Sequence, residues 1–429
     1  MIVLMKKEKI VVVGLGYVGF PLLCLIDSVR KYDVFGYDLS KKRAEAVSRR
    51  ENVLDEEFLN DFLANAEYQV SDDENVIEGA DFVIICVPTP VLDDKTPDLS
   101  PIEGASRTVL KYLRKGMKII VESTVNPGVC EEFVLPILEE SGLKGGKDFE
   151  LSHCPERINP GDDKWNVQNI PRNVGSLTIE GNKVVANFYR SFLEAEVNEV
   201  DSLSVAEATK VIENTFRDIN IAYVNELAKS FDLMGIDLKA VIKAASNKPF
   251  AFMPHYPSCG VGGHCIPVDP YYLFQKAQSL GFNHTFLRKA RAINNSMPEY
   301  TVELLVDRLN DIEKSVKGAK ISLLGMAYKA NVGDLRESPS LEIYDLLVSK
   351  GADIKRFDPY LPDFSDFTDL EEALGHADVL LLATNHREFD VLTTDQLKKH
   401  QIKIVIDGKN CLNKVDILDA GIIYKGIGH

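Results

Sequence analysis

The sequence lacks the features that mark several protein classes. Its 429 residues hold one tryptophan and seven cysteines, and no two cysteines are spaced as CxxC. The odd count excludes a fully paired disulfide framework, and the missing CxxC pair excludes a zinc ribbon. No window reaches the roughly 18 apolar residues of a membrane span. The opening M-I-V-L-M-K-K-E-K-I has no apolar stretch long enough for a secretory signal. A protein of the reducing cytoplasm is therefore expected. Positive charge is also short, with 49 Lys and Arg against 65 Asp and Glu, a net charge of −16. That balance argues against nucleic acid or an anionic membrane as a partner. It leaves open a phosphate-bearing small ligand, which needs only local donors.

Hydrophobic content of 45% and charged content of 27% fit an ordinary globular protein. The length exceeds what one hydrophobic core serves, so two or three domains are expected. The apolar run K-I-V-V-V, residues 9–13, reads as a buried parallel strand. Gly14-Leu15-Gly16-Tyr17-Val18-Gly19 follows, then a helical pattern from Phe20 to about Lys31. This is G-x-G-x-x-G between a strand and a helix. Its glycines allow a tight turn, close approach of a pyrophosphate, and close helix–strand packing. A second strand pattern ends at Asp38, where a carboxylate would take the ribose hydroxyls of NAD and repel the 2′-phosphate of NADP.

Further strands are expected at Asp81–Val87, Lys118–Glu122 and Phe149–Ser152. Their tips, Pro88-Thr89-Pro90 and Ser123-Thr124, are candidate cofactor contacts, because ligands bind at the carboxyl ends of such strands. A cap or turn role is the alternative for Thr89 and Thr124. The third strand runs into His153-Cys154-Pro155-Glu156-Arg157-Ile158-Asn159-Pro160-Gly161, a loop with an acid and a base. Val205–Met234 then shows helical spacing without proline or glycine. Lys210, Asn214, Arg217 and Asp218 share one face of that helix. The pattern K-I-S-L-L-G, I-K-R-F-D-P, A-D-V-L-L-L-A-T and I-K-I-V-I-D from Lys320 repeats the order of the first half. Here the glycine signature has decayed, and Lys329 is expected at a helix start as a phosphate ligand, with Arg336 nearby. The predicted fold is α/β, with two Rossmann-like parallel-sheet domains joined by a central helical domain and a long connecting helix. The expected bounds are 1–203, 204–312 and 313–429. Trp165, Cys24, Cys86 and Cys130 are expected in cores.

Cys265 stands apart, in G-V-G-G-H-C-I-P-V-D-P-Y-Y-L. Gly262 and Gly263 remove side-chain bulk beside the thiol, while Pro267 and Pro270 stiffen the loop. A dinucleotide site and a nucleophilic thiol together allow an alcohol to be oxidised twice. The thiol would trap the intermediate aldehyde, and water would release the acid. Lys210 could hold the oxyanion, and Glu156 or Asp269 could act on the water. A two-electron hydroxyacid dehydrogenase would leave Cys265 without a role, and a non-enzymatic NAD-binding protein would explain the first domain alone. Cys259, His264 and Cys265 fit no standard zinc spacing, so no metal is expected.

The motifs V-G-L-G-Y-V-G, C-V-P-T-P, E-S-T-V-N-P-G, P-E-R-I-N-P-G, E-A-T-K-V-I-E-N-T, G-G-H-C-I-P-V-D-P and G-D-L-R-E-S-P span nearly the whole chain. Together they resemble the UDP-glucose/GDP-mannose dehydrogenase family of NAD-dependent, four-electron nucleotide-sugar 6-dehydrogenases. The resemblance implies Cys265 as nucleophile, with Lys210, Asn214, Asp269, Glu156 and Thr124 as its catalytic partners. It implies NAD contacts at Gly14, Gly16, Tyr17, Val18, Gly19, Asp38, Pro88, Thr89, Thr124 and Arg336. Substrate contacts are implied at Glu156, Arg157, Lys210, Asn214, Arg217, Gly262 and Lys329. It also implies a homodimer through the central helix. UDP-glucose members usually read G-G-S-C-F-x-K-D, whereas this chain has His264 and Val268. That pattern resembles the branch acting on UDP-N-acetylglucosamine or UDP-N-acetylmannosamine, with UDP-glucose or GDP-mannose as the alternative substrate. Pro257-Ser258-Cys259-Gly260 departs from the branch's usual P-G-P-G, and the family often has arginine near the end, where this chain has Asp407-Gly408-Lys409-Asn410.

Overall fold

The computed structural model describes residues 6–54, 56–92, 94–157 and 164–429. The first five residues and positions 158–161 of the P-E-R-I-N-P-G motif lie outside that range. Two compact units emerge from the contacts: Met1–Glu213 with Tyr271–Phe282, and Asn214–Pro270 with Asn283–His429.

The first unit is built on an eight-stranded sheet. In chain order its strands are β1 (Lys9–Val13), β2 (Asp33–Tyr37), β3 (Gln69–Ser71), β4 (Phe82–Ile85), β5 (Lys118–Val121), β6 (Glu150–His153), β7 (Arg172–Ser176) and β8 (Val197–Glu199). Their spatial order is β3-β2-β1-β4-β5-β6-β7-β8, parallel except for the β6–β7 pair. Successive residues of a strand face opposite sides. Ile10 and Val12 join one buried cluster, and Val11 and Val13 join another. Both faces of the sheet are covered, which is why these strands are continuously apolar rather than alternating.

The second unit repeats the logic with five parallel strands: β9 (Lys320–Leu324), β10 (Asp353–Phe357), β11 (Val379–Leu382), β12 (Ile404–Asp407) and β13 (Ile423–Gly426). Their order is β10-β9-β11-β12-β13. Leu323 and Leu381 pack on one face, Leu324 and Leu382 on the other. The expected fold class is thus the observed one, and strand ends differ from expectation by one to a few residues.

The long helix runs Leu203–Met234, 32 residues, or about 48 Å. Its buried side is mixed, with Val211, Ala222 and Val224 beside polar residues. Glu207, Lys210, Asn214, Asp218 and Asn225 are buried, whereas Ile212, Phe216 and Tyr223 are exposed by 57%, 46% and 57%. Arg217 was expected on the polar face but is exposed. It falls at the rim of the buried stripe, where a long guanidinium reaches solvent. Trp165 was expected in a core and is instead 43% exposed, with the Lys164 ammonium 5.2 Å from its ring centroid. Lys329 does not start a helix. The segment after β9 stays irregular until the helix Pro339–Ser349, because Asn331 adopts a positive φ of 62° and Pro339 sets the helix start. Among the described residues no helix is long and apolar enough to cross a membrane.

His153, at the end of β6, is wholly buried, and its Nδ1 lies 3.9 Å from Cys130 Sγ. Burial lowers its pKa from 6.5 to about 3. Above pH 6.5 the ring is neutral in both folded and unfolded chains. As pH falls below 6.5 the unfolded chain binds a proton that the fold refuses, so stability drops progressively towards pH 3. Melting temperature should therefore fall on acidification through this window. The fall should be shallower in His153→Gln, as measured by differential scanning fluorimetry across the pH series.

Candidate functional site

In the first unit, β1 delivers Gly14 in a left-handed conformation, φ +90°. A Cβ at Gly14 would sit 2.8 Å from the Cys86 carbonyl oxygen, and one at Gly19 would overlap the Gly14 carbonyl. Around Gly16 nothing lies within 4 Å of a Cβ position, so its backbone faces open space. The helix Gly19–Ser28 begins there with no side-chain cap and no acid in its first turn. The Phe20 and Leu22 amides donate to the Gly16 and Val18 carbonyls at 3.1 and 3.3 Å, so the helix dipole, with no acid opposing it, is what favours an anion at this end. Asp38 follows β2. One of its oxygens accepts from the Leu15 amide at 2.8 Å and the other from the Ser40 amide at 2.8 Å. The carboxylate is therefore fixed beside the glycine turn. These features fit a bound dinucleotide. In the second unit the corresponding acid, Asp358, is turned inward. It is buried, accepts from the Met326 and Ala327 amides at 2.7 and 2.8 Å, and pairs with His386 Nε2 at 3.0 Å. Of these two acids, Asp38 is half-buried beside an open glycine turn, whereas Asp358 is enclosed.

The other tips of the first sheet are tied together. The Ser123 hydroxyl donates to the Val87 carbonyl at 2.7 Å, and the Tyr272 hydroxyl donates to the Thr89 carbonyl. Thr89 and Thr124 are half-buried and Pro88 is exposed. Glu156 follows β6, and its carboxylate is ion-paired with Arg172, a fully buried residue of β7. Arg157 is engaged elsewhere: its Nε donates to Glu213 at 3.1 Å and its Nη1 to the Pro171 carbonyl at 3.0 Å. Glu207, one turn before Lys210, accepts from the Gly128 and Cys130 amides at 2.5 and 2.8 Å. It thereby caps the short helix at Cys130–Val134.

In the second unit the Cys265 loop is pressed against the segment after β9. The Gly263 amide donates to the Arg336 carbonyl at 2.9 Å. A Cβ at Gly262 would meet the Glu337 carbonyl oxygen and Tyr328 Cβ, each at 2.7 Å. Bulk at this position would lift the loop. The Cys265 carbonyl accepts the Val268 and Asp269 amides at 3.1 and 2.8 Å, which turns the chain into the helix Asp269–Ser279. Asp269 is buried and accepts from Asn214 Nδ2 at 2.6 Å. Asn225 accepts the Ser258 amide at 3.0 Å and so anchors the other end of the loop. Cys265 is half-buried, while Cys24, Cys86, Cys130, Cys154 and Cys259 are buried. Lys329 is half-buried, and Arg336 is exposed and paired with Asp334.

Of the expected site residues, the first unit thus holds the NAD contacts through Thr124, with Glu156, Arg157 and Lys210. The second holds Asn214, Arg217, Gly262, Cys265, Asp269, Lys329 and Arg336. Sequence reasoning missed Glu207, Glu122, Arg172 and Asn225. Glu207 carried a signal in E-A-T-K, one turn ahead of Lys210. Arg172, in P-R-N-V-G-S, carried none.

Family models match three consecutive regions. Residues 8–193 match the NAD binding domain of the UDP-glucose/GDP-mannose dehydrogenase family, 204–296 its central domain, and 322–414 its UDP binding domain. The chain belongs to this family. It is 37% identical to the UDP-N-acetyl-D-glucosamine 6-dehydrogenase of Pseudomonas aeruginosa, over 92% of this chain and 94% of that protein. It is 34% identical to the UDP-N-acetyl-D-mannosamine dehydrogenase of Pyrococcus horikoshii, over 98% and 99% of the two chains. A solved structure of the UDP-D-ManNAc dehydrogenase from Pyrococcus horikoshii superposes with a TM-score of 0.91, covering 98% of this chain and 99% of that one. The protein is thus an NAD-dependent oxidoreductase of the nucleotide-sugar dehydrogenase class. Replacing Asp38 by Ala removes the carboxylate that the Leu15 and Ser40 amides fix beside the glycine turn. A lost charged hydrogen bond is worth about 1.5–3 kcal/mol, so KM for NAD should rise roughly tenfold or more in steady-state kinetics.

Proposed function

We propose that this enzyme oxidises a UDP-N-acetylhexosamine, UDP-N-acetylglucosamine or UDP-N-acetylmannosamine, at C6 to the uronic acid. The observation that carries this reading is the Cys265 loop. It combines a half-buried thiol, two glycines lying flat against Tyr328 and Glu337, and the buried Asn214–Asp269 pair just beyond. The chemistry supplied by NAD, when bound, is acceptance of one hydride from the sugar carbon, so two NAD molecules, bound in succession, would take the two hydrides. Cys265 Sγ, as the thiolate, forms a C–S bond to the aldehyde carbon, giving a hemithioacetal oxyanion that becomes a thioester when the second hydride leaves. Lys210 and Asn214 stabilise that oxyanion, and Asp269 fixes the Asn214 amide. Glu156 takes a proton from water as the hydroxyl adds to the thioester. The C–S bond then breaks, and the thiolate leaves the carboxylic acid. Thr124 belongs to the same network, and Lys329 and Arg336 contact substrate and cofactor respectively. His264 and Val268, with the names of the relatives, favour an N-acetylhexosamine over glucose.

Cys265→Ser should abolish uronate formation while the chain still binds NAD. The unaltered enzyme should release two NADH per sugar, read at 340 nm against uronate by mass spectrometry. Uronate formed by Cys265→Ser at the normal rate would overturn the thiol step. Comparing kcat/KM across UDP-GlcNAc, UDP-ManNAc, UDP-GalNAc and UDP-Glc tests the sugar, and a preference for UDP-Glc would overturn the N-acetylhexosamine reading.

We further propose a cytoplasmic homodimer formed through the long helix. Ile212, Phe216 and Tyr223 make an exposed apolar stripe on it, which a second copy would cover. Phe216→Asp with Tyr223→Asp should convert the dimer to a monomer in analytical ultracentrifugation. An unchanged sedimentation coefficient would exclude this face.

A further inference from the structure

Behind Glu156 lies a group of buried charges to which no role has yet been given. Arg172, on β7, donates from Nη1 to Glu122 Oε2 at 3.2 Å, and its Nη2 pairs with Glu156. Glu122 sits just beyond β5 and is wholly buried, as is Arg172, and Glu156 is 6% exposed. The second Glu122 oxygen accepts the Tyr189 hydroxyl. The Tyr189 ring also lies under the guanidinium, 5.9 Å from its centre. The Glu156 amide approaches the Glu122 carbonyl at 3.5 Å, and the Arg157 amide closes on a Glu156 oxygen at 2.5 Å. One cation therefore serves two carboxylates away from water. A buried charge is tolerated only when paired, and a single guanidinium cannot fully compensate both.

We propose that Arg172 is the positioning residue of Glu156, and that Glu122, by competing for the same guanidinium, sets how strongly Glu156 accepts a proton from water. This inference rests on the hydrolytic role proposed for Glu156. When Glu122 is protonated, the whole positive charge of Arg172 bears on Glu156. When Glu122 ionises, it draws on the same guanidinium, and Glu156 becomes the stronger base. Titration of Glu122 thus regulates the last step of the reaction without touching substrate. Burial, with Glu156 repelling, moves the Glu122 carboxyl up to about 7, against the attraction of Arg172 and the Tyr189 hydrogen bond. The groups that influence Glu122 are Arg172 from β7, Glu156 after β6, Tyr189 from the helix Ile179–Arg190, Cys154 after β6 and Cys86 after β4. Both thiols are held above their usual range by burial and stay neutral near pH 7. Among the described residues that influence Glu122, the charged ones are Glu156 and Arg172.

The test measures uronate release in single turnovers across the pH range from about 6 to 9, with steady-state KM values alongside. In the unaltered enzyme the hydrolytic rate should rise through a limb near pH 7, where Glu122 titrates. Glu122→Gln is close to isosteric and mimics the protonated state. It should flatten that limb and leave a plateau about tenfold lower, with KM for NAD and sugar unchanged. Arg172→Lys keeps the charge but loses the fork that holds two carboxylates. It should lower hydrolysis by about tenfold to a hundredfold, the cost of misplacing a catalytic group by about 1 Å. The first hydride transfer should be spared. If Glu122→Gln keeps both the limb and the plateau, the inference is overturned even should Arg172→Lys fail to fold. Glu156→Gln separates the two levels. Loss of hydrolysis there, with normal Glu122→Gln and Arg172→Lys enzymes, would leave the role of Glu156 standing and remove its supports. Unimpaired hydrolysis in Glu156→Gln would overturn that role and the inference with it.

Discussion

Polar side chains withdrawn from water must find partners, and the long helix Leu203–Met234 is governed by that requirement. It buries Glu207, Lys210, Asn214, Asp218 and Asn225 and leaves Ile212, Phe216 and Tyr223 open. Each buried group then specifies something in its own unit. Glu207 takes two amides at the start of Cys130–Val134. Asn214 donates to Asp269, at the end of the Cys265 loop, and Asn225 holds the amide of Ser258 at its beginning. Asp218 pairs with Arg291 and accepts from Asn294 at 2.8 Å. Breaking one such pair leaves an orphaned buried polar group, which costs more than the hydrogen bond contributes. These contacts therefore fix the loop more strongly than their number suggests.

The two sheets show how one topology supports different ligands. Both follow strand, glycine turn and acid, yet the acids have different fates. Asp38 is half-buried and pinned beside an open glycine turn, whereas Asp358 is buried and consumed by two amides and His386. In the second copy the acid stabilises its own loop instead. That loop also carries Lys329, and the Cys265 glycines lie against its Tyr328, Arg336 and Glu337. Decay of the dinucleotide signature and construction of the thiol loop are thus linked by the same segment.

Much of the fold was legible because both sheets are buried on two faces, which writes each strand as an unbroken apolar run. The glycine turn and Asp38 were legible because their function is local: a turn, a helix start and an acid within one βαβ unit. Lys329 was misplaced because the second copy extends its turn with Asn331 and delays the helix to Pro339. Trp165 was misplaced because a single aromatic residue in a loop carries no local sign of whether it is covered.

The sequence by itself determined two parallel sheets, an NAD-type turn, a long central helix and a cysteine on a glycine loop. Each is encoded by residues close together in the chain. The tertiary structure decided which polar residues meet. Glu122, Arg172 and Glu156 come from three separate strand ends, and nothing in their spacing announces that one guanidinium will serve two acids. Their meeting follows from the order in which β5, β6 and β7 are laid side by side, and strand order is a long-range property that no local pattern carries.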